Sequence, residues 1–411
     1  MHSVRTAGWR GDGDPAGRYG VPVPAPADAA EQFRREFGVA PDGVWSAPGR
    51  VNLIGEHTDY NGGLALPIAL PRRTYAAVRL RDDGRLRLSS DFSDAGVVDV
   101  DVTNIAPDIP GGWGSYPAGV LWAVREAGHA LPGADVHISS DVPVGAGLSS
   151  SAAIECCVAA AVSDLLGLGL LADDEGRARL ATWCQQGENV IARAPTGGMD
   201  QAISMRGVEA HATLLDCRTG AVEQVPFDLT AHDMALLVVD TRAEHALVDG
   251  QYAERRTSCE DAVALLGIDS LRDIDMDALD GSLSRLGDDV ARARVRHVVT
   301  EIDRVVQCVQ ALRATDFEEV GRLFVASHAS LRDDYEVSCR ELDLVVETAV
   351  TGGALGARMT GGGFGGSAIA LVRADAVDSL STSVTQAFDS AGLRRPDCFA
   401  VTAGAAAGRD A

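Results

Sequence analysis

The chain contains no lysine: all 36 of its basic residues are arginine. That absence removes two chemistries. A nucleotide loop of the Walker type needs lysine on the β- and γ-phosphates, and Schiff-base catalysis needs a lysine amine. Any phosphate site must rest on backbone N–H groups, arginine and metal. Basic residues are also outnumbered by 59 acidic ones, leaving a net charge of −23. Nucleic acids and anionic membranes both call for a basic face, so neither is an expected partner. A local phosphate site is still compatible with an acidic surface. The eight cysteines show no C-x-x-C spacing and no histidine at metal-ligand spacing, as expected of reduced, mostly buried thiols in a cytoplasmic protein. A basic-then-apolar leader is also missing. The one long apolar stretch, 152–172, is interrupted by Glu155, Ser163 and Asp164, which suits a core helix better than a membrane span.

At 411 residues the chain is long for one core, and two domains are expected. Residues 1–27, poor in apolar side chains, read as a disordered extension. Asp28 then caps a short amphipathic helix over 29–37. Strands are predicted over 74–80, 85–90, 97–102 and 134–140, with a helix over 116–127 between the last two. A helix over 173–192 and strands over 212–216 and 234–240 follow. Long helices dominate from about 251 to 350, and a strand, a helix and a strand close the chain. Strands and helices mix without strict βαβ alternation, so the fold class is α+β rather than doubly wound. The boundary is placed near residue 220, giving units of 28–220 and 221–411.

Four polar segments carry the chemistry. Residues 47–63 gather Arg50, Glu56, His57, Asp59, Tyr60 and Asn61 around four glycines. The segment reads as a loop able to grip a polyol. At 145–153, a glycine-rich turn and three serines lead from a predicted strand into a predicted helix. Its glycines let backbone approach an anion, the helix start offers free N–H groups, and the serines can bond phosphate or Mg²⁺. The same residues could equally cap the helix. Asp200, in a Gly-Gly-Met-Asp-Gln loop, is a candidate base for a substrate hydroxyl, and Glu188 a candidate metal ligand. Last, 356–367 holds six glycines in twelve residues, with Arg358 and Thr360 among them. That density reads as a wide loop or a close backbone approach, not as the interior of a helix or strand. A polyol grip, a lysine-free phosphate cradle, a metal carboxylate and a base together suit phosphoryl transfer to a hydroxyl.

These motifs carry a resemblance. Gly49-Arg50-Val51-Asn52-Leu53-Ile54-Gly55-Glu56-His57-Thr58-Asp59-Tyr60 resembles the signature of the galactokinase family. Residues 143–153 and 358–366 resemble the second and third motifs of the GHMP kinase superfamily, in the right order. The resemblance implies a two-domain GHMP kinase fold: an N-terminal domain of the ribosomal-protein S5 type, a C-terminal α+β domain, and the active site between them. It implies ATP-dependent phosphorylation of α-D-galactose at its anomeric hydroxyl, the entry to the Leloir pathway. By motif position it implies Asp200 as base and Arg50 as the group stabilising the transferring phosphoryl. Glu56, His57, Thr58, Asp59, Gly197 and Tyr252 would hold the sugar. Gly145, Ala146, Gly147, Leu148, Ser149, Ser150 and Ser151 would wrap the phosphates of ATP, and Ser90 and Trp113 would contact the nucleotide. Ser151 and Glu188 would ligate Mg²⁺. Related readings are a kinase of another sugar (N-acetylgalactosamine or arabinose) or a non-catalytic galactose and ATP sensor. The intact Ser151-Ala152 pair speaks against the sensor. Partners are then small molecules, with no obligate protein partner.

Overall fold

The polar cluster at 47–63 does not begin as a loop. In the computed structural model, Arg50 stands on a ten-residue strand, β1 (Gly43–Asn52), every residue of which is buried. Its ladder with the following long strand slips between Pro48 and Arg50. The slip follows from Pro48, which has no N–H to donate, and from Gly49, where a Cβ would lie 2.6 Å from the Leu148 carbonyl. The polar loop proper starts after Asn52.

The structure describes residues 25–93, 96–194, 196–243 and 248–411, with only the backbone of 248 and 249. The expected extension at 1–27 therefore lies outside the described residues except for its last three positions. Those positions open a helix earlier than the sequence suggested: α1 (Pro26–Phe37) starts on a proline, whose missing N–H costs nothing there. Asp28 sits in the first turn and accepts the Ala25 N–H at 2.9 Å.

After β1 come β2 (Leu64–Ala65), β3 (Pro67–Leu80), β4 (Arg85–Ser90) and β5 (Val98–Asp101). Next are α2 (Ser115–Glu126), β6 (Ala134–Ser140), α3 (Ser150–Leu165), α4 (Asp174–Gly187) and α5 (Met199–Arg206). The hairpin β7 (His211–Asp216) and β8 (Val222–Pro226) and the strand β9 (Met234–Asp240) precede five helices. These are α6 (Val248–Leu266), α7 (Leu279–Arg285), α8 (Asp289–Arg313), α9 (Phe317–Asp333) and α10 (Arg340–Thr351). The chain closes with β10 (Gly356–Thr360), β11 (Ser367–Arg373), α11 (Val377–Ala391), β12 (Asp397–Val401) and β13 (Gly408–Arg409).

The first sheet runs β13-β1-β3-β6-β4-β5, the second β10-β11-β9-β12, and β2 joins the β7–β8 hairpin in a third. Among the described residues only β4 and β6 pair in parallel, so the architecture is α+β, as the lack of βαβ alternation predicted. One core packs α2, α3 and α4 on the first sheet, around Trp45, Val136, Val158 and Leu180. Another packs the late helices on the second sheet, around Val298, Tyr335, Met359 and Phe388. A third runs between them and joins Leu53, Leu148, Val238, Phe324 and Ile369. Strand β13 also carries the end of the chain back onto β1.

The third glycine-rich segment is only partly a loop. Gly356 to Thr360 form β10, whose Gly356 packs directly on the backbone of Gly321 in α9, leaving no room for a Cβ. The turn after it presses Gly361 and Gly366 to within about 3 Å of the carbonyls of Gly147 and Ala146, measured from where a Cβ would stand. Its glycines therefore serve a backbone-on-backbone approach to the second motif.

Candidate active site

The first and third motifs meet at one cavity of about 570 Å³, whose lining includes Arg50, Glu56, His57, Asp59, Glu188, Asp200 and Tyr252, and the second motif adjoins it through Ser149, which bonds Asp200. Asp200 is not on an exposed loop. It is the second residue of α5, behind Gly198 in a left-handed cap, and a carboxylate in a first turn is favoured by the helix dipole. Arg50 grips it in bidentate fashion, Nε to Oδ1 at 2.8 Å and Nη2 to Oδ2 at 3.0 Å. The Arg50 Nη1 also donates to the Gly147 carbonyl, and Ser149 Oγ donates to Asp200. One arginine thus ties strand β1 to the turn before α3 and to the start of α5.

Ser149 bears on the two readings of the second motif. It occupies the cap position of α3 in the left-handed region and makes no side-chain bond to the helix. Its hydroxyl is spent on Asp200, so the first N–H groups of α3 remain free of a side-chain cap and can meet an anion. Gly145 and Gly147 take positive φ in the turn before it.

Carboxylates outnumber cations around this floor. Helix α4 stops at Gly187 and widens into a π turn that begins with Glu188, which is buried. Burial and then the Asp200 charge push Glu188 up to about 7, against hydrogen bonds from Ser151 and Gln201. Glu155, wholly buried in α3, is raised far above the usual carboxylate range by burial and then by Glu188. Gln201 Nε2 donates to both, at 2.9 Å to Glu155 and 2.5 Å to Glu188. Burial, chiefly, and the nearby Asp200 push Asp59 from 3.8 up to about 6, against a backbone hydrogen bond from Tyr60.

Residues 31–80 match the model of the galactokinase galactose-binding signature. Residues 115–208 and 308–390 match the GHMP kinases N terminal and C terminal domains. A galactokinase of Streptomyces coelicolor is 54% identical over 380 residues, 92% of this chain and 97% of the relative. The chain belongs to the galactokinase family. A galactokinase of Mycobacterium tuberculosis is 46% identical over 353 residues, 86% of this chain and 95% of that one. Among solved structures, Lactococcus lactis galactokinase complexed with galactose superposes with a TM-score of 0.87 at 33% identity, covering 93% of this chain and 99% of that one. The Methanococcus jannaschii mevalonate kinase, 16% identical, shares the fold alone, with a TM-score of 0.63 over 88% of this chain and 98% of its own.

Within the galactokinase signature, the expected sugar residues divide. Glu56, His57, Asp59 and Tyr252 line the cavity. Gly197 lies against Asp59 so closely that any Cβ would overlap its Oδ2. Thr58 does not reach the cavity: it is fully buried, and its hydroxyl faces the carbonyls of Gly55 at 2.8 Å and Leu64 at 2.7 Å. Its side chain holds the loop, because a hydroxyl inside that turn is nearer to backbone acceptors than to solvent. Ser90 and Trp113 lie apart from the cavity lining. The Ser90 hydroxyl and the Trp113 Nε1 are buried without a hydrogen-bond partner among the described residues. Positions 244–247, shortly before Tyr252, lie outside the described residues.

The sequence reading missed a fully buried partner of Glu56. Arg358, fully buried on β10, donates Nη2 to Glu56 and Nη1 to the Leu53 carbonyl at 2.8 Å. The Gly361 N–H reaches the other Glu56 oxygen at 3.1 Å. Arginine amid glycines was the available signal. For Glu155, the signal was a carboxylate early in a largely apolar run, and for Gln201 it was only its place beside Asp200.

Proposed function

We propose that this chain phosphorylates α-D-galactose at its anomeric hydroxyl, with ATP as donor, to give α-D-galactose 1-phosphate. The observation that carries the reading is the Arg50–Asp200 pair at the junction of a sugar-signature loop and an uncapped helix start. Sugar O1 attacks the γ-phosphorus, the bond from that phosphorus to the β,γ-bridging oxygen breaks, and ADP leaves. Asp200 accepts the hydrogen of the attacking hydroxyl. A carboxylate bound on one side to arginine still has lone pairs free for the hydroxyl. As negative charge shifts over the transferring group, Arg50 is the cation placed to meet it. Gly145, Ala146, Gly147, Leu148, Ser149, Ser150 and Ser151 offer N–H and hydroxyl groups to the phosphates. Ser90 and Trp113, whose donors are unpartnered among the described residues, would contact the nucleotide.

The residues present fit a divalent cation. Asp59, Glu155, Glu188 and Asp200 crowd a floor where Arg50 is the buried cation, and Glu188 resists ionising first through its burial and then through the Asp200 charge. No cluster of three or more metal-binding side chains occurs among the described residues, which suits Mg²⁺ shared with phosphate and water. Ser151 and Glu188 would hold it, and it would neutralise phosphate charge. Glu56, His57, Asp59, the Gly197 backbone and Tyr252 hold the sugar, while Thr58 shapes the loop that presents them. All eight cysteines are free, which suits a reducing, cytoplasmic setting. No helix among the described residues is long and apolar enough to cross a membrane.

A panel of sugars with coupled detection of ADP tests the assignment. ADP release is expected with galactose well above arabinose and N-acetylgalactosamine. Release with none of them would return the chain to a sensor role. Two finer outcomes follow from the sugar side. Gly197→Ala should raise KM for galactose about ten- to hundredfold, since it displaces Asp59 and a hydrogen bond to a charged group is worth about 1.5–3 kcal/mol. The fold should survive, because the new methyl meets one side chain. Acidity acts on the same carboxylate. Asp59 loses its charge as pH falls through about 6, so KM for galactose should climb severalfold from pH 7 to 5. A galactose KM that stays flat over that range would remove Asp59 as an ionised sugar contact.

A further inference from the structure

Behind the sugar wall of the cavity runs a chain of buried hydrogen-bonding groups that the reaction itself does not use. His57 Nδ1 lies 2.8 Å from the Tyr60 hydroxyl, which lies 2.9 Å from the Tyr335 hydroxyl, which lies 3.1 Å from Cys259 Sγ. The groups come from the signature loop, the segment after α9, and α6, the helix that also carries Tyr252. The far ring nitrogen of His57, Nε2, is buried without a side-chain partner among the described residues, on a residue that lines the cavity, and the Gly362 backbone in the same lining bears on the ring as a hydrogen-bond acceptor. The backbone under the ring is held as well: His57 takes a left-handed φ of 61°, and Asn61 Nδ2 donates to its carbonyl at 2.8 Å.

Every member of the chain keeps its proton at neutral pH. Burial raises the Tyr60 and Tyr335 phenols well above 10 and lifts the Cys259 thiol. His57 is neutral, since burial and then the charge of His297 hold it down to about 3. A neutral imidazole carries one hydrogen, so the chain can point in only two ways. Pointing away from the cavity, it ends with the Tyr335 O–H on sulfur, a weak acceptor. Pointing toward it, the thiol donates to Tyr335, Tyr335 to Tyr60, and Tyr60 to Nδ1, the strongest acceptor in the series. The second direction also gives the S–H an acceptor.

We infer that Tyr60, Tyr335 and Cys259 form a relay that fixes the tautomer of His57, so that its Nε2–H faces the sugar as a hydrogen-bond donor. Tyr60 and Tyr335 are positioning residues: they act through His57. The inference rests on the reading of this cavity as the sugar site.

The direct measurement is ¹⁵N NMR of the full chain labelled in its histidine rings, without sugar, with His57→Gln used to assign the signal among nine histidines. The expected spectrum shows an unprotonated Nδ1 and a protonated Nε2. In Tyr60→Phe the ring should become a mixture of tautomers. KM for galactose should rise about three- to tenfold, the scale of one neutral hydrogen bond, with kcat little changed. Tyr335→Phe, which leaves Tyr60 free to turn, should give a smaller shift in the same direction. A wild-type ring protonated on Nδ1 overturns the relay, and that result needs no variant to fold. So does a Tyr60→Phe variant whose tautomer changes while its galactose KM does not. ADP release by the wild-type chain tests the reading of the cavity separately from either spectrum.

Discussion

Asp200→Asn is expected to lower kcat by about 10²- to 10⁴-fold, the usual contribution of a positioned general base, while leaving ATP binding nearly intact. The amide has the carboxylate's shape but cannot accept the hydroxyl's hydrogen with a full charge. It also brings a second donor against Arg50 Nε and Nη2, which now meet acceptors at 2.8 and 3.0 Å. One of those bonds must be given up, and Ser149 loses its anionic acceptor. None of this touches the free N–H groups of α3 or the unpartnered donors of Ser90 and Trp113. Turnover by coupled ADP release, set beside calorimetric ATP affinity, separates the two effects. Near-normal kcat would remove Asp200 as the base. Loss of ATP affinity in step with kcat would instead assign it a structural part.

Arg358→Leu carries the largest expected cost in stability, about 3–5 kcal/mol, the range for stripping one partner from a buried ion pair. The guanidinium is wholly buried and reaches both Glu56 and, at 3.5 Å, Glu301. The two carboxylates respond differently to it. Burial pushes Glu301 up, but Arg304 at 2.7 Å and Arg358 outweigh it and hold the group at about 2. Glu56 has Arg358 alone as a close cation, and burial still leaves it raised above 4.5. One arginine does not neutralise both, so Glu56 is the group that its loss strands. The sign of the pH dependence follows. A carboxyl whose folded pKa lies above its unfolded value takes up protons on folding. Its favourable contribution is present at low pH and is lost as pH rises through the folded value. The deficit of Arg358→Leu, read from urea midpoints against wild type, should therefore be larger at pH 8 than at pH 5. An equal deficit at both would assign the loss to packing rather than to the stranded charge. Galactose affinity should fall as well, since Glu56 lines the cavity.

Much of the site could be read along the chain because the chemistry lies in short segments. Arg50, Glu56, His57 and Asp59 fall within ten residues, the phosphate cradle within nine, and the glycines announce where backbone must come close. The order of elements could be read as well, since period-two runs such as 134–140 and the amphipathic helices of the second half depend on local pattern. The exclusion of a lysine-based phosphate site followed from composition alone. Setting for individual residues was less legible. Arg50 and Asp200 read as loop residues, yet one stands on a strand and the other on a helix. Strand β1 exists because β3 pairs with it, and α5 starts because Gly198 takes a left-handed turn. Thr58 read as a sugar contact, but the local turn claims its hydroxyl.

What only the tertiary structure decided is who meets whom. Arg50 and Asp200 are 150 residues apart, Tyr60 and Tyr335 are 275 apart, and Glu56 and Arg358 are 302 apart. Each side chain has the right chemistry in the sequence, but no periodicity links the members of a pair. Their meeting depends on how two sheets and their helices close over a shared core, and that closure also sets the burial that shifts Asp59, Glu188 and His57. Residue type and short spacing determine what each group can do. Distance and desolvation, which arise only on folding, determine which of those capacities the site uses.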